Sequence, residues 1–273
     1  MLLFFLSLYS MVLNRFFLLN VFTGIKARGN QCCVLIVDDL SDDESLLRIA
    51  SDFNLPATTF LKQENSNTFS VRWFAPMAEI ELCGHGTLAA TWVANQLFPK
   101  EVEFIFNYAA GKLKGVESDG KVELSGTAII SEESAIPDHV KKGFHGKAMA
   151  YYPSSNKDLV LFENESDVIN MKPDWNALRE SDTFGYVITA ESKSYDFISR
   201  VLLPHINILE DQATGSSHLI LTPFWSKRLN KTSLKAYQAS ERGGQVEVRI
   251  KDDLVTLRAS CILFGEGSYV GEY

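Results

Sequence analysis

The chain has 273 residues, 46% hydrophobic and 22% charged, enough apolar material for one large domain or two of ordinary size. A formal net charge of −8 without any Lys/Arg cluster argues against a nucleic-acid partner. Four cysteines (Cys32, Cys33, Cys83, Cys261) form neither a CxxC pair nor a zinc spacing, so the expectation is a reduced, cytoplasmic protein with no bound metal.

The N-terminal run MLLFFLSLYSMVL is apolar but too short to span a bilayer, and it lacks a positive n-region and a small-residue cleavage site. Met11 directly precedes NRFFLLNVF, a strand-like run, so residues 1–14 are read as an extension and Met11 as the natural start. A short membrane-associating tail or a poor signal peptide is the alternative; otherwise no membrane contact is expected.

Strand-like runs follow in order: FFLLNVF, CCVLIVDD, TTFLKQ, FSVRWFA, VEFIFNYA, KLKGV, KVELSG, then GYVITA, ISRVLL, SLKAYQAS, QVEVRI and LVTLRASCILF. Many alternate apolar and polar residues, as half-buried antiparallel strands do. KDD between QVEVRI and LVTLRAS suits a hairpin turn. Cys32 and Cys33 are read as core strand residues. SDDESLLRIASDFN opens with Ser41 and Glu44, the spacing of a capping box, and continues with an apolar face of Leu46, Leu47, Ile49, Ala50 and Phe53. GHGTLAATWVANQLF and TGSSHLILTPFWSKRL are apolar nearly all round, which predicts two buried helices. Pro223 is expected to kink the second or end its first part. The inventory predicts an α+β fold: two pseudo-duplicated lobes, each a curled, mostly antiparallel sheet around a central helix. The boundary is placed between Gly115 and Glu133, where Gly, Ser, Asp and Glu concentrate. This gives an N-terminal lobe of residues 15–118, joined by 265–273, and a C-terminal lobe of 119–264.

Both buried helices begin at corners of similar composition, ELCGHGTLAAT (Glu81–Thr91) and DQATGSSHLIL (Asp211–Leu221). The first N–H groups of a helix have no partner within it, carry partial positive charge, and bind carboxylate or phosphate. Gly84, Gly86 and Gly215 would let a ligand approach the backbone, and Thr87, Ser216 and Ser217 add hydroxyls. His85 and Asp211 are placed to handle protons, and a thiol at a helix start, Cys83, can act as base or nucleophile. Each has a plain structural alternative: His85 a cap or core hydrogen-bonder, Cys83 a small buried hydrophobe, Asp211 a helix cap, His218 a satisfied core histidine.

The segments FLLNVFTG…GNQCCVLI, DFNLPATTF, VRWFAPMAEIELCGHGTLAATWV, EDQATGSSHLILTPFW and YQASERGGQVEV resemble, in order, the phenazine-biosynthesis PhzF-like isomerase/epimerase family, from about Phe16 to Gly265. The resemblance implies a diaminopimelate epimerase-like fold with the ligand bound between two lobes, a homodimer, and no metal or organic cofactor. It implies isomerisation of a small carboxylate, trans-2,3-dihydro-3-hydroxyanthranilate in the characterised reaction, by moving a proton from one ring carbon to another. By position, His85, Asp211, Gly84 and the Gly215–Ser216 backbone match the family's site. Gly86 and Thr214 belong to the same two corners, with Thr214 where related epimerases carry a second cysteine.

Two departures bear on mechanism. The family's Asn-Leu-Ser-Glu-Thr stretch aligns with Asn54-Leu55-Pro56-Ala57-Thr58, so Ala57 stands where the family's base glutamate does, and a methyl group accepts no proton. The Gly-Asn-Pro turn is Gly29-Asn30-Gln31. General-base catalysis contributes about 10²–10⁴-fold. Two readings therefore stand: an isomerase in which Asp211, Cys83 or His85 substitutes for the base, and a catalytically inactive, small-carboxylate-binding or dimeric interaction protein of the same fold.

Overall fold

The computed structural model describes residues 14–99, 103–155, 157–206 and 208–270. The N-terminal run up to Leu13, with the Met11 and membrane-tail expectations, lies outside the described residues. Contacts divide the chain into two units, one of residues 1–27, 31–124 and 259–273, the other of 28–30 and 125–258.

In the first unit, β1 (Arg15–Val21) pairs antiparallel with β17 (Cys261–Ser268). β2 (Asn30–Val37) is buried along nearly its whole length, as suits a parallel strand covered on both faces, and it pairs parallel with β3 (Thr58–Gln63). The crossover between them carries α1 (Asp43–Phe53), whose Leu46, Ile49 and Ala50 pack on Leu35, Phe60 and Phe74. From β3 the ladder runs antiparallel to β4 (Thr68–Ala75), which pairs antiparallel with the short β5 (Ala78–Ile80) and parallel with β6 (Glu103–Tyr108). Antiparallel β7 (Gly111–Ser118) and β8 (Lys121–Thr127) follow. Between β5 and β6 lies α2 (Gly84–Leu97), packed against β1, β3, β6, β7 and β17, so the sheet curls around it. The helix comes so close to β7 that a Cβ on Gly115 would sit 2.0 Å from Thr91 Oγ1.

The second unit repeats this order of pairings. β9 (Ala150–Tyr152) pairs with β10 (Asp158–Leu161), which runs parallel to β11 (Tyr186–Glu191). β11 is antiparallel to β12 (Phe197–Leu202), and β12 is antiparallel to the short β13 (Glu210–Asp211) and parallel to β14 (Ser233–Gln238). Antiparallel β15 (Gly244–Lys251) and β16 (Leu254–Ala259) complete it, joined by the expected turn at Asp252–Asp253. Short helices α3 (Asp138–Gly143), α4 (Glu165–Asn170) and α5 (Trp175–Leu178) cover one face through Val140, Val168 and Leu178. The enclosed helix is α6 (His218–Leu229), between β13 and β14; its Trp225 stacks on Phe197 and donates from Nε1 to Thr189 Oγ1 at 3.0 Å.

Two local expectations change. The N-cap of α1 is Asp42, not Ser41: its carboxylate accepts from Ser45 N–H at 3.0 Å and Ser45 Oγ at 2.7 Å. Asp and Ser are equally good caps, and Asp42 is the one placed three residues before a buried hydroxyl that can answer it. Pro223 neither ends α6 nor divides it. Proline removes the N–H that would reach the carbonyl four residues back, that of Leu219. Here the N–H of Ile129, just beyond β8, donates to Leu219 O at 2.8 Å. The orphan acceptor is thus satisfied from outside the helix.

Candidate active-site corners

Each corner is prepared by the same ion pair. In the first unit, Arg72 on β4 grips Glu79 on β5 through Nε and Nη2, both at 2.7 Å, and donates from Nη1 to Leu40 O at 2.6 Å. In the second, Arg200 on β12 grips Glu210 on β13 at 2.7 and 2.8 Å and donates from Nη1 to Met171 O at 2.7 Å. The registers match: Phe74 faces Glu79 and Leu202 faces Glu210, each two residues after its arginine. The fork geometry of guanidinium and carboxylate fixes the short strand that leads into each corner. Hydrogen bonds to Glu79 hold the Arg72 guanidinium above its ordinary range. Glu79 is therefore a structural partner of Arg72. The spacing from Glu79 to Cys83 recurs from Glu210 to Thr214, each with an arginine on the preceding strand, and is a signal present in the sequence.

Cys83 is the N-cap of α2 and is 5% exposed. Its Sγ accepts from Gly86 N–H at 3.4 Å and lies 3.4 Å from His85 Nδ1, so thiol and imidazole share a hydrogen bond whose direction depends on the histidine tautomer. His85 and Gly84 are half-buried. Gly86 is needed for packing: a Cβ there would come within 2.6 Å of Thr59 Oγ1 and 2.7 Å of Trp73 Cδ1. The Thr87 hydroxyl, expected to face a ligand, instead donates to Cys83 O at 2.8 Å and is wholly buried. A β-hydroxyl one turn into a helix finds the preceding turn's carbonyl before it finds solvent.

In the second unit, Asp211 is held on both carboxylate oxygens. Asn30 Nδ2 donates to Oδ1 at 2.8 Å and Thr214 Oγ1 donates to Oδ2 at 2.6 Å. Asn30 also donates to Ala213 O at 2.8 Å and is fully buried. Gln238 closes the loop, accepting from Thr214 N–H at 2.8 Å and donating to Asp211 O at 2.7 Å. The rest of the Gln-x-Ser-x-Arg-Gly-Gly stretch does the same work: Ser240 Oγ donates to Gln212 O at 2.5 Å, and Arg242 Nε to Gly29 O at 2.8 Å. Asn30 and Gln238 were in motifs quoted from the sequence, but nothing in their spacing said that they buttress Asp211.

The hydroxyls divide. Ser217 is buried and donates to Thr214 O at 2.8 Å, so it does not reach a ligand as expected; Ser216, the half-buried residue after Gly215, accepts from Lys157 Nζ at 3.2 Å. His218 is 2% exposed, and its Nδ1–H donates to Thr214 O at 2.9 Å. Burial pushes its pKa down to about 4, so at neutral pH it is an uncharged core residue. Ala57 is 0% exposed, with its carbonyl accepting from Cys33 N–H at 3.0 Å.

Cys32 and Cys33 are fully buried strand residues, and burial drives both thiols up, Cys32 to about 12. Among the described residues no group of three or more His, Cys, Asp or Glu is arranged to hold a metal ion, and no helix is long and apolar enough to cross a membrane.

Comparison with known proteins follows the same residues. The family model described as phenazine biosynthesis-like protein, PhzC-PhzF, matches residues 19–271. An uncharacterized isomerase of Halalkalibacterium halodurans is 31% identical over 258 residues, covering 92% of this chain and 97% of its own. Among solved structures, a phenazine biosynthesis protein of the PhzF family from Enterococcus faecalis is similar with a TM-score of 0.88 at 30% identity, over 94% of this chain and 98% of that one. A putative phenazine biosynthesis PhzC/PhzF protein from Clostridium difficile is similar with a TM-score of 0.87 at 32% identity, over 94% and 99%.

Proposed function

The chain belongs to the PhzC-PhzF family of phenazine biosynthesis-like proteins, with its diaminopimelate epimerase-like fold, and on that footing we propose that it is an isomerase moving a proton on a small carboxylate without a cofactor. The observation that carries the reading is the contact between Cys83 Sγ and His85 Nδ1 at the start of α2. It supplies an imidazole beside a thiol that shares its hydrogen bond, at a place where backbone N–H groups favour negative charge. His85 takes the proton from the substrate carbon and returns it, and Cys83 sets the imidazole tautomer. Asp211, held by Asn30 and Thr214, is a fixed carboxylate that stabilises positive charge developing beside it; Gly84, Gly215 and Ser216 are the candidate backbone and hydroxyl donors for substrate, while Gly86 N–H and the Thr214 donors are taken up by Cys83, Gln238 and Asp211. The family likeness and the cysteine usage further support a cytoplasmic homodimer.

The test is proton exchange in D₂O, followed by NMR on dihydrohydroxyanthranilate and related small carboxylates. Wild type is expected to incorporate deuterium, His85→Gln to abolish it, and Cys83→Ser to slow it by about 10- to 100-fold as the imidazole loses its partner. Exchange that survives His85→Gln would refute the assignment of the base.

Ala57 favours a second reading. A fully buried methyl stands where the family's glutamate would act, which is what a carboxylate-binding descendant without catalysis would show. Tight binding of the carboxylates with no exchange by the wild type would establish that reading instead.

A further inference from the structure

Lys157 lies in the connection between β9 and β10, outside both corner motifs, and is 6% exposed. Lysine is rarely buried unless its charge is used. Its stem passes Gly185, where an added Cβ would stand 3.4 Å from Lys157 Cγ. Its ammonium sits 5.3 Å from the centre of the Phe184 ring and donates to Ser216 Oγ at 3.2 Å. Burial lowers the lysine pKa, and the Asp211 carboxylate opposes that shift.

A serine hydroxyl has one proton and two lone pairs, whereas an ammonium only donates. The contact therefore makes Ser216 Oγ the acceptor and leaves its own proton for another acceptor, and that proton has none among the described residues. Thr214 and Ser217 are committed elsewhere, to Asp211 Oδ2 and to Thr214 O. The charge arrangement points the same way. A cation near the start of a helix opposes the helix dipole, and an incoming anion relieves that opposition.

We infer that Lys157 is a positioning residue: by donating to Ser216 Oγ it turns the serine proton toward the ligand and makes this corner select a carboxylate over its neutral amide. The inference rests on the proposed carboxylate substrate and adds the residue that enforces that preference. Lys157 acts through Ser216 and takes no proton from the substrate.

The experiment is calorimetric titration with anthranilate and anthranilamide, against wild type, Lys157→Met, Ser216→Ala and the double variant. Wild type is expected to prefer anthranilate by roughly tenfold or more, the difference a charge-assisted hydrogen bond makes. Each single variant is expected to lose that preference, with anthranilate affinity falling far more than amide affinity, and the double variant to be no worse than either single one, because both remove the same contact. Retained preference in Lys157→Met, or additive losses in the double variant, overturns the inference and leaves the carboxylate reading intact. A wild type without preference overturns both. Ser216→Ala decides independently should Lys157→Met not fold, since a preference that survives loss of the hydroxyl does not come from the serine proton and overturns the inference.

Discussion

Arg200 and Glu210 are joined by two parallel hydrogen bonds of 2.7 and 2.8 Å, their side chains only 12% and 21% exposed, and Arg72 and Glu79 repeat the pair at the same register with Glu79 44% exposed. The two pairs share their bidentate geometry at different depth and can be compared, although Arg72 Nη1 also reaches exposed Asp43 at 2.7 Å. Removing one partner of a largely desolvated pair strands the other, at about 3 kcal/mol, while exposed pairs contribute about 1 kcal/mol or less. Urea unfolding is expected to show Arg200→Met more destabilising than Arg72→Met by about 2 kcal/mol. Equal losses would mean that the carbonyl contacts to Leu40 and Met171, not burial, set the energy.

Asn30 extends the same logic to the Asp211 carboxylate. Its amide bridges Asp211 Oδ1 and Ala213 O and has no exposed surface. Asn30→Ala leaves two acceptors short of a donor, a cost of about 1–3 kcal/mol. It also loosens one side of Asp211, whose Oδ2 stays held by Thr214. The expected result is lower stability together with slower proton exchange, whereas Gln212→Ala, whose side chain accepts from Arg242 N–H, is expected to change exchange much less. Exchange unchanged by Asn30→Ala would remove Asp211 orientation from the account.

Ala57→Glu restores the family's carboxyl at a site with no exposed surface. A buried carboxyl has its pKa raised above the unfolded value of about 4.3. The sign then follows: the unfolded chain gives up the proton first as pH rises, so the variant's deficit against wild type is smallest below about pH 4.3 and grows toward neutrality. Chemical denaturation of both proteins from pH 4 to 8 measures it. A flat difference would mean that the glutamate reaches water, and exchange in D₂O gained only by this variant would mean that the scaffold lacks nothing but its base.

The duplicated architecture was readable from the sequence because it is written in local patterns: alternating strands, two helices apolar all round, and glycine-rich corners ahead of each. The placement of Cys83, His85 and Ser216 beside helix starts was readable for the same reason, since it follows from the local sequence. What could not be read depends on partners far along the chain. Asn30 meets Asp211 across 181 residues, and Ile129 supplies the N–H that lets α6 run through Pro223. Lys157 carried no motif at all; only burial beside Ser216 distinguishes it from any other lysine. The hydroxyls of Thr87 and Ser217 were misjudged because the corner motif does not say which of adjacent hydroxyls turns inward, and each is drawn to a carbonyl of its own turn.

His218 provides a pH signature independent of substrate. Its pKa falls from 6.5 to about 4 on folding, with burial the main cause, against opposing hydrogen bonds from the ring to the Thr214 and Gly215 backbone. Because the folded value is depressed, the unfolded state binds the proton first on acidification. The neutral histidine's contribution is therefore fully present above about pH 6.5 and is lost as pH falls toward 4, by on the order of 3 kcal/mol. His218→Gln keeps an amide donor for Thr214 O and removes the titration. Wild-type stability is expected to fall more steeply than the variant's between pH 6.5 and 4, with the curves parallel above pH 7. Parallel curves throughout would mean that water reaches the His218 ring when protonated, so that α6 opens at its first turn in acid.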